Sequence, residues 1–104
     1  MNSQDGEERR RRNRIRLAFE GRYMLERGPR DYVCRTENVS ATGILIRGFP
    51  AGGVGEWVVA YLDELGRVEG MVVRGGNTWF ALEIAATPGQ VQKLAEKIES
   101  LAPR

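Results

Sequence analysis

The sequence predicts a mainly β fold: six short antiparallel strands closed into a barrel, followed by one α-helix at the carboxyl end. Three observations predict it. Apolar and polar residues alternate with a period of two along much of the chain, and turn residues interrupt that alternation at short intervals. The period changes to that of an amphipathic helix only in the last stretch. A chain of 104 residues fits a single domain with a modest core. A sandwich satisfies the same pattern, but barrel closure leaves no strand edge exposed.

The elements follow in order. Residues 1–13 are polar and charged without apolar periodicity, so they bury too little surface to offset the entropy of ordering. They read as a flexible basic arm, and 14–104 as the domain. From Ile15 a strict alternation begins, with Ile15, Leu17, Phe19, Tyr23 and Leu25 on one face and Arg14, Arg16, Glu20 and Arg22 on the other. This pattern predicts a half-buried strand. Gly28-Pro29 turns the chain, and Asp31 to Glu37 forms the second strand, with Tyr32 and Cys34 sharing a face. Asn38 to Gly43 breaks the pattern before Ile44-Leu45-Ile46 resumes it as a third strand ending near Gly48.

Phe49 to Gly55 reads as a flexible loop; it lacks the lysine and hydroxyl residue of a phosphate-binding P-loop. Trp57 to Leu62 and Val68 to Arg74 are strands joined by a turn around Asp63 to Gly66, and Gly75-Gly76-Asn77 leads into a last strand, Thr78 to Ala85. Thr87 then offers a helix cap with Pro88 first in the helix and Gln90 three residues on. Val91, Leu94, Ala95, Ile98 and Leu101 form one stripe, so a helix over about 87–102 packs on the barrel.

Charge is unevenly spread. The formal net charge of +2 conceals Arg9, Arg10, Arg11, Arg12, Arg14 and Arg16, opposed near the start only by Asp5, Glu7 and Glu8. Arginine outnumbers lysine fourteen to two, which favours planar recognition, because guanidinium pairs with phosphate and stacks on rings where ammonium is a point charge. With no histidine and one cysteine, the usual zinc ligands and the commonest general base are missing, so no metal site, catalytic residue or enzymatic activity is expected. The lone Cys34 reads as an unreactive buried thiol. Without a signal peptide or long apolar segment, the expected location is the cytoplasm with no membrane insertion. That location also sets aside Asn38-Val39-Ser40 as a glycosylation site. Trp57, Tyr61, Trp79 and Phe80 read as core or cross-strand packing, and Asp63-Glu64 and Glu96 with Glu99 as solvated surface.

Two stretches carry chemistry. Taken alone, the arginine run is an ordinary solvated tail or nonspecific nucleic-acid contact, and Asn38-Val39-Ser40-Ala41-Thr42-Gly43 is an ordinary turn. Together they offer more. Arg10 and Arg14 stand four apart where the arm meets the first strand, so Ile15 entering the core fixes one end of the arginine segment. Asn38 brings an amide for a base edge, Ser40 a hydroxyl, and Gly43 an unobstructed backbone.

This order, Arg10-x-x-x-Arg14 and then Asn38-x-Ser40-x-x-Gly43 within a small barrel ending in a helix, resembles the PilZ domain family across nearly the whole chain. Arg12 and Arg16 have the same spacing, but Arg10 and Arg14 leave Ile15 to begin the strand as the family pattern implies. The resemblance implies a PilZ-type barrel that binds the bacterial second messenger cyclic di-GMP. It assigns the ligand to Arg9, Arg10, Arg14, Asn38, Ser40 and Gly43. An arginine can chelate guanine O6 and N7 in plane while another stacks on the ring or meets phosphate. Asn38 stands where the family also accepts aspartate, and it loses a carboxylate for the guanine N–H edge. Arg9, just before the pair, is associated in relatives with a stacked ligand dimer, so two ligand molecules per site are expected. Arg11 and Arg74 are further candidates, with Arg74 equally readable as a solvent-facing strand residue.

No other cofactor is implied. Ligand would order the arm and create a surface read by a downstream partner protein. The competing readings are a small barrel that binds RNA or single-stranded DNA through the arm, and a ligand-independent PilZ adaptor.

Overall fold

The structure, a computed structural model, describes residues 14–103. Its strands are β1 (Glu20–Leu25), β2 (Asp31–Val39), β3 (Gly43–Arg47), β4 (Trp57–Leu62), β5 (Gly66–Gly75) and β6 (Trp79–Ile84), followed by helix α1 (Pro88–Leu101). They close into a barrel in the order β1-β2-β3-β6-β5-β4, with every neighbouring pair antiparallel. The barrel, not the sandwich, is the architecture. Pairing β3 with β6 follows from no local signal, because the two strands are far apart in the chain.

Inward positions fill the barrel. Tyr23 is fully buried at its centre, with its ring 5.1 Å from Phe80 and 5.6 Å from Tyr32, both tilted. Its hydroxyl donates to the Pro50 carbonyl at 2.7 Å. Burial, reinforced by Cys34 and Tyr32, pushes the Tyr23 phenol up to about 12. Burial also pushes the Cys34 thiol up to about 11, in keeping with an inert interior residue.

Closing six strands requires tight corners, and glycines at inward positions supply two of them. A Cβ on Gly21 would meet the Tyr61 carbonyl oxygen, and one on Gly70 the Glu83 carbonyl oxygen. Both obstacles are backbone, so only glycine lets the strands approach.

The barrel ends are stoppered differently. Phe49 to Gly55, read from sequence as a loop, cross one end and set Ala51 and buried Gly52 against the core. Gly52 is buried so close to Val72 and Val58 that a Cβ would crowd both. Arg27 Nη2 donates to the Ala51 carbonyl at 2.9 Å, and Glu56 Oε1 accepts from the Gly53 N–H at 3.0 Å. At the other end, α1 brings Ile98 into the core, with Leu94 and Leu101 against it. Its amino terminus carries the expected capping box: Thr87 accepts from the Gln90 N–H, and Gln90 returns a bond to the Thr87 N–H.

Several boundaries differ from the sequence reading. Regular pairing of the first strand begins at Glu20, not Ile15, although 14–19 alternate between exposed and half-buried as anticipated. Thr36 is the reason. Its hydroxyl accepts from the Phe19 N–H at 2.8 Å and donates to the Leu17 carbonyl at 2.6 Å, taking the place of ladder bonds. Ile15 then exchanges two 2.9 Å backbone bonds with Val39.

Of the four aromatic residues, Phe80 is core, and Trp57 and Trp79 stand on strands opposite Met71 and Arg47. Trp57 and Trp79 are half-buried, and Tyr61 lies 50% exposed on the outer surface. Asp63, Glu64, Glu96 and Glu99 are exposed as expected.

Candidate ligand-binding corner

The corner is built where the entering chain meets the β2–β3 turn. Sequence reading put Asn38 in a break, but β2 continues through it to Val39. A bulge between Thr36 and Asn38 absorbs one residue, so that Thr36 and Val39 both face inward while Asn38 pairs with Leu45 on the outer side.

Ser40 lies beneath the corner and is only 2% exposed. Its hydroxyl accepts from the Gly43 N–H at 3.0 Å and lies 3.0 Å from the Gly43 carbonyl, to which it donates. The Ser40 N–H donates to the same carbonyl at 2.8 Å. In this arrangement the serine holds the turn and presents the Gly43 peptide, and its hydroxyl does not face outward. The exposed hydroxyl of the turn belongs to Thr42, 3.4 Å from Ser40 Oγ.

Arg14 is fixed by its neighbour, since the Ile15–Val39 bonds leave the arginine beside the end of β2. Its Nη1 donates to Asn38 Oδ1 at 3.4 Å. Its Nη2 lies 3.1 Å from the point where a Cβ on Gly43 would stand. The missing side chain is what lets a guanidinium come this close to the backbone there. Arg14, Asn38 and Gly43, separated in sequence, thus meet at one point. Arg9, Arg10 and Arg11 lie outside the described residues.

Arg74 is exposed near the end of β5. It stands in the same row as the corner, because Asn38 pairs with Leu45, Leu45 with Ala81, and Ala81 with Arg74. Three interstrand spacings separate Asn38 from Arg74, about 14 Å. Between them the outer surface is low, with Leu45 half-buried and Ala81 0% exposed.

Sequence reasoning missed this floor, and it missed Glu83, which is exposed directly across the sheet from Gly43. Their signal was the outward phase of β3 and β6. It became readable only once those strands were known to be neighbours. A carboxylate here can accept from paired N–H groups such as a guanine edge presents. Among the described residues, no group of three or more histidine, cysteine, aspartate or glutamate side chains is placed to hold a metal ion.

Fold and corner together describe a small closed-barrel module whose polar recognition groups gather on the outer wall. The barrel has the fold of a PilZ-type domain: the chain is similar to a crystal structure of the PilZ domain of CeSA from a cellulose-synthesizing bacterium, with a TM-score of 0.65 at 17% identity, covering 83% of this chain and 93% of that one. No family model matches the chain, and no curated protein matches it.

Proposed function

We propose that this protein is a receptor for cyclic di-GMP, captured on the outer wall between the arginine segment and the β2–β3 turn. The observation that supports this most is the meeting of Arg14, Asn38 and Gly43, three groups 24 to 29 positions apart, counting from Arg14. A guanidinium set beside bare backbone and exposed to solvent can stack on a purine or meet a phosphate. Arg10 joins Arg14 in this role, with Ser40 holding the turn from below. Glu83 and Asn38 take the guanine N–H edge, the glutamate replacing the carboxylate that Asn38 lacks. Arg9 and Arg11 extend the clamp, Arg74 meets the far end of the ligand, and two stacked molecules fill the site.

Binding draws the arm onto the barrel and changes the local shape and charge, which a downstream partner reads. Such a receptor works by binding alone and operates in the cytoplasm. Among the described residues, no helix is long and apolar enough to cross a membrane.

Isothermal calorimetry tests the proposal. Cyclic di-GMP should bind with measurable heat, and Arg10→Ala or Arg14→Ala should weaken binding about tenfold or more, since one bidentate guanine contact is worth about 1–3 kcal/mol. No heat with cyclic di-GMP, or equal competition by an oligonucleotide with steep salt dependence, contradicts it.

A further inference from the structure

Strand β4 is apolar on both faces. Val58, Ala60 and Leu62 point into the core, and the alternate residues Trp57, Val59 and Tyr61 line the outside. A strand with solvent on one side ordinarily alternates, whereas one apolar throughout is covered on both sides. Neighbouring strands extend the outer patch through Met24 of β1, opposite Val59, and Met71 of β5, opposite Trp57. Met71 is 46% and Tyr61 50% exposed, so the described chain leaves this face open.

The charges around the patch indicate what covers it. One row across the sheet reads Asp31, Met24, Val59, Glu69, with a carboxylate at each end. The next row, two residues along each strand, reads Val33, Arg22, Tyr61, Arg67 and carries the cations. Arg22 and Arg67 keep much of their guanidinium surface open to a partner. Each pairs with a carboxylate of the other row, at 3.5 and 2.8 Å, with more than half of the arginine side chain exposed.

We propose that this face is the interface of a homodimer, formed by a two-fold axis running across the strands between Val59 and Tyr61. That rotation lays the acidic row of each copy on the basic row of the other. Glu69 of one copy then faces Arg67 of the second, and the two apolar strips pack together. An axis along the strands keeps like rows together and opposes acid to acid, so the charge pattern selects one orientation. The face spans three interstrand spacings, about 14 Å, which is narrower than a standard protein interface and implies a dimer of modest affinity.

Sedimentation velocity on the full chain without nucleotide, from about 5 to about 500 µM, tests the proposal over the range of modest affinities. A reversible monomer–dimer equilibrium is expected. Tyr61→Lys, at a half-exposed position beside the axis that faces Val59 of the second copy, should weaken it at least about tenfold. Arg67→Glu and Glu69→Arg should each reduce self-association, and mixing these two variants should restore a heterodimer, because the mixture re-pairs opposite charges at both symmetry-related contacts. A wild-type chain monomeric throughout overturns the proposal. A dimer indifferent to Tyr61→Lys also overturns it, as does a mixture that associates no better than its components. Circular dichroism on each variant separates loss of association from loss of fold.

Discussion

Replacing Thr36 with valine removes one hydroxyl and should release the segment that carries Arg14. Thr36 is 1% exposed, and its hydroxyl bonds backbone groups of half-buried Leu17 and Phe19. Its hydroxyl accepts from the Phe19 N–H at 2.8 Å and donates to the Leu17 carbonyl at 2.6 Å. Valine fills nearly the same space but leaves both backbone groups without this partner, at about 1–3 kcal/mol for each group left buried and unsatisfied. A loss of at least about 2 kcal/mol follows, which for a domain of this size lowers the melting temperature by about 8–16 °C.

Urea unfolding measures the loss, and amide exchange at Phe19 locates it, since that N–H should become exchangeable well before the β1 core opens. Thr36→Ser retains the hydroxyl and should keep Phe19 protected. A Thr36→Val protein within about 0.5 kcal/mol of the parent, with Phe19 still protected, would show that residues 14–19 are held by other contacts.

Other consequences are independent of that segment. Gly70→Ala drives a Cβ into the Glu83 carbonyl oxygen at a barrel corner, and should cost upwards of about 3 kcal/mol or prevent folding. Gly28→Ala, with open space around it, should stay within about 0.5 kcal/mol; thermal melts compare the two. Cys34 and Tyr23 both have folded-state pKa values above their ordinary ones, about 11 against 9.0 and about 12 against 10.0. The unfolded chain therefore loses these protons first, so the stability from both groups is complete below about pH 9 and declines between about 9 and 12. Melting temperatures across that interval should fall, and Cys34→Ala should flatten the lower part of the decline. Thr87→Ala removes the acceptor of the capping box and should cost about 1 kcal/mol, read by urea unfolding and the helical circular dichroism signal.

Local periodicity made much of this architecture legible. The alternation from Ile15 to Leu25 gave the correct inward face even where Thr36 replaces regular pairing. The stripe from Val91 to Leu101, with Thr87, Pro88 and Gln90 before it, located α1 to within a residue or two. What stayed hidden depends on contacts distant in sequence. A bulge between Thr36 and Asn38 has no residue signature, so the sequence pattern ended β2 too early. The packing of 48–56 over the barrel end required knowledge of Tyr23, Val58 and Val72 as its neighbours.

The corner divides in the same way. Residue type pointed to Arg14, Asn38 and Gly43, but the inward turn of the Ser40 hydroxyl, and the company of Glu83, Ala81 and Arg74, emerge only from the pairing of β3, β6 and β5.

The proposed receptor holds cyclic di-GMP against the barrel wall at the Arg14, Asn38 and Gly43 corner. Titration of isotopically labelled protein with cyclic di-GMP, followed by amide NMR, tests that placement most directly. Large shifts are expected at Thr42, Gly43, Leu45, Ala81 and Glu83, with new protection at Arg10 to Arg14 and saturation at two ligands per chain. Shifts gathered around α1 or the outer face of β4, with Gly43 and Ala81 unmoved, would contradict it.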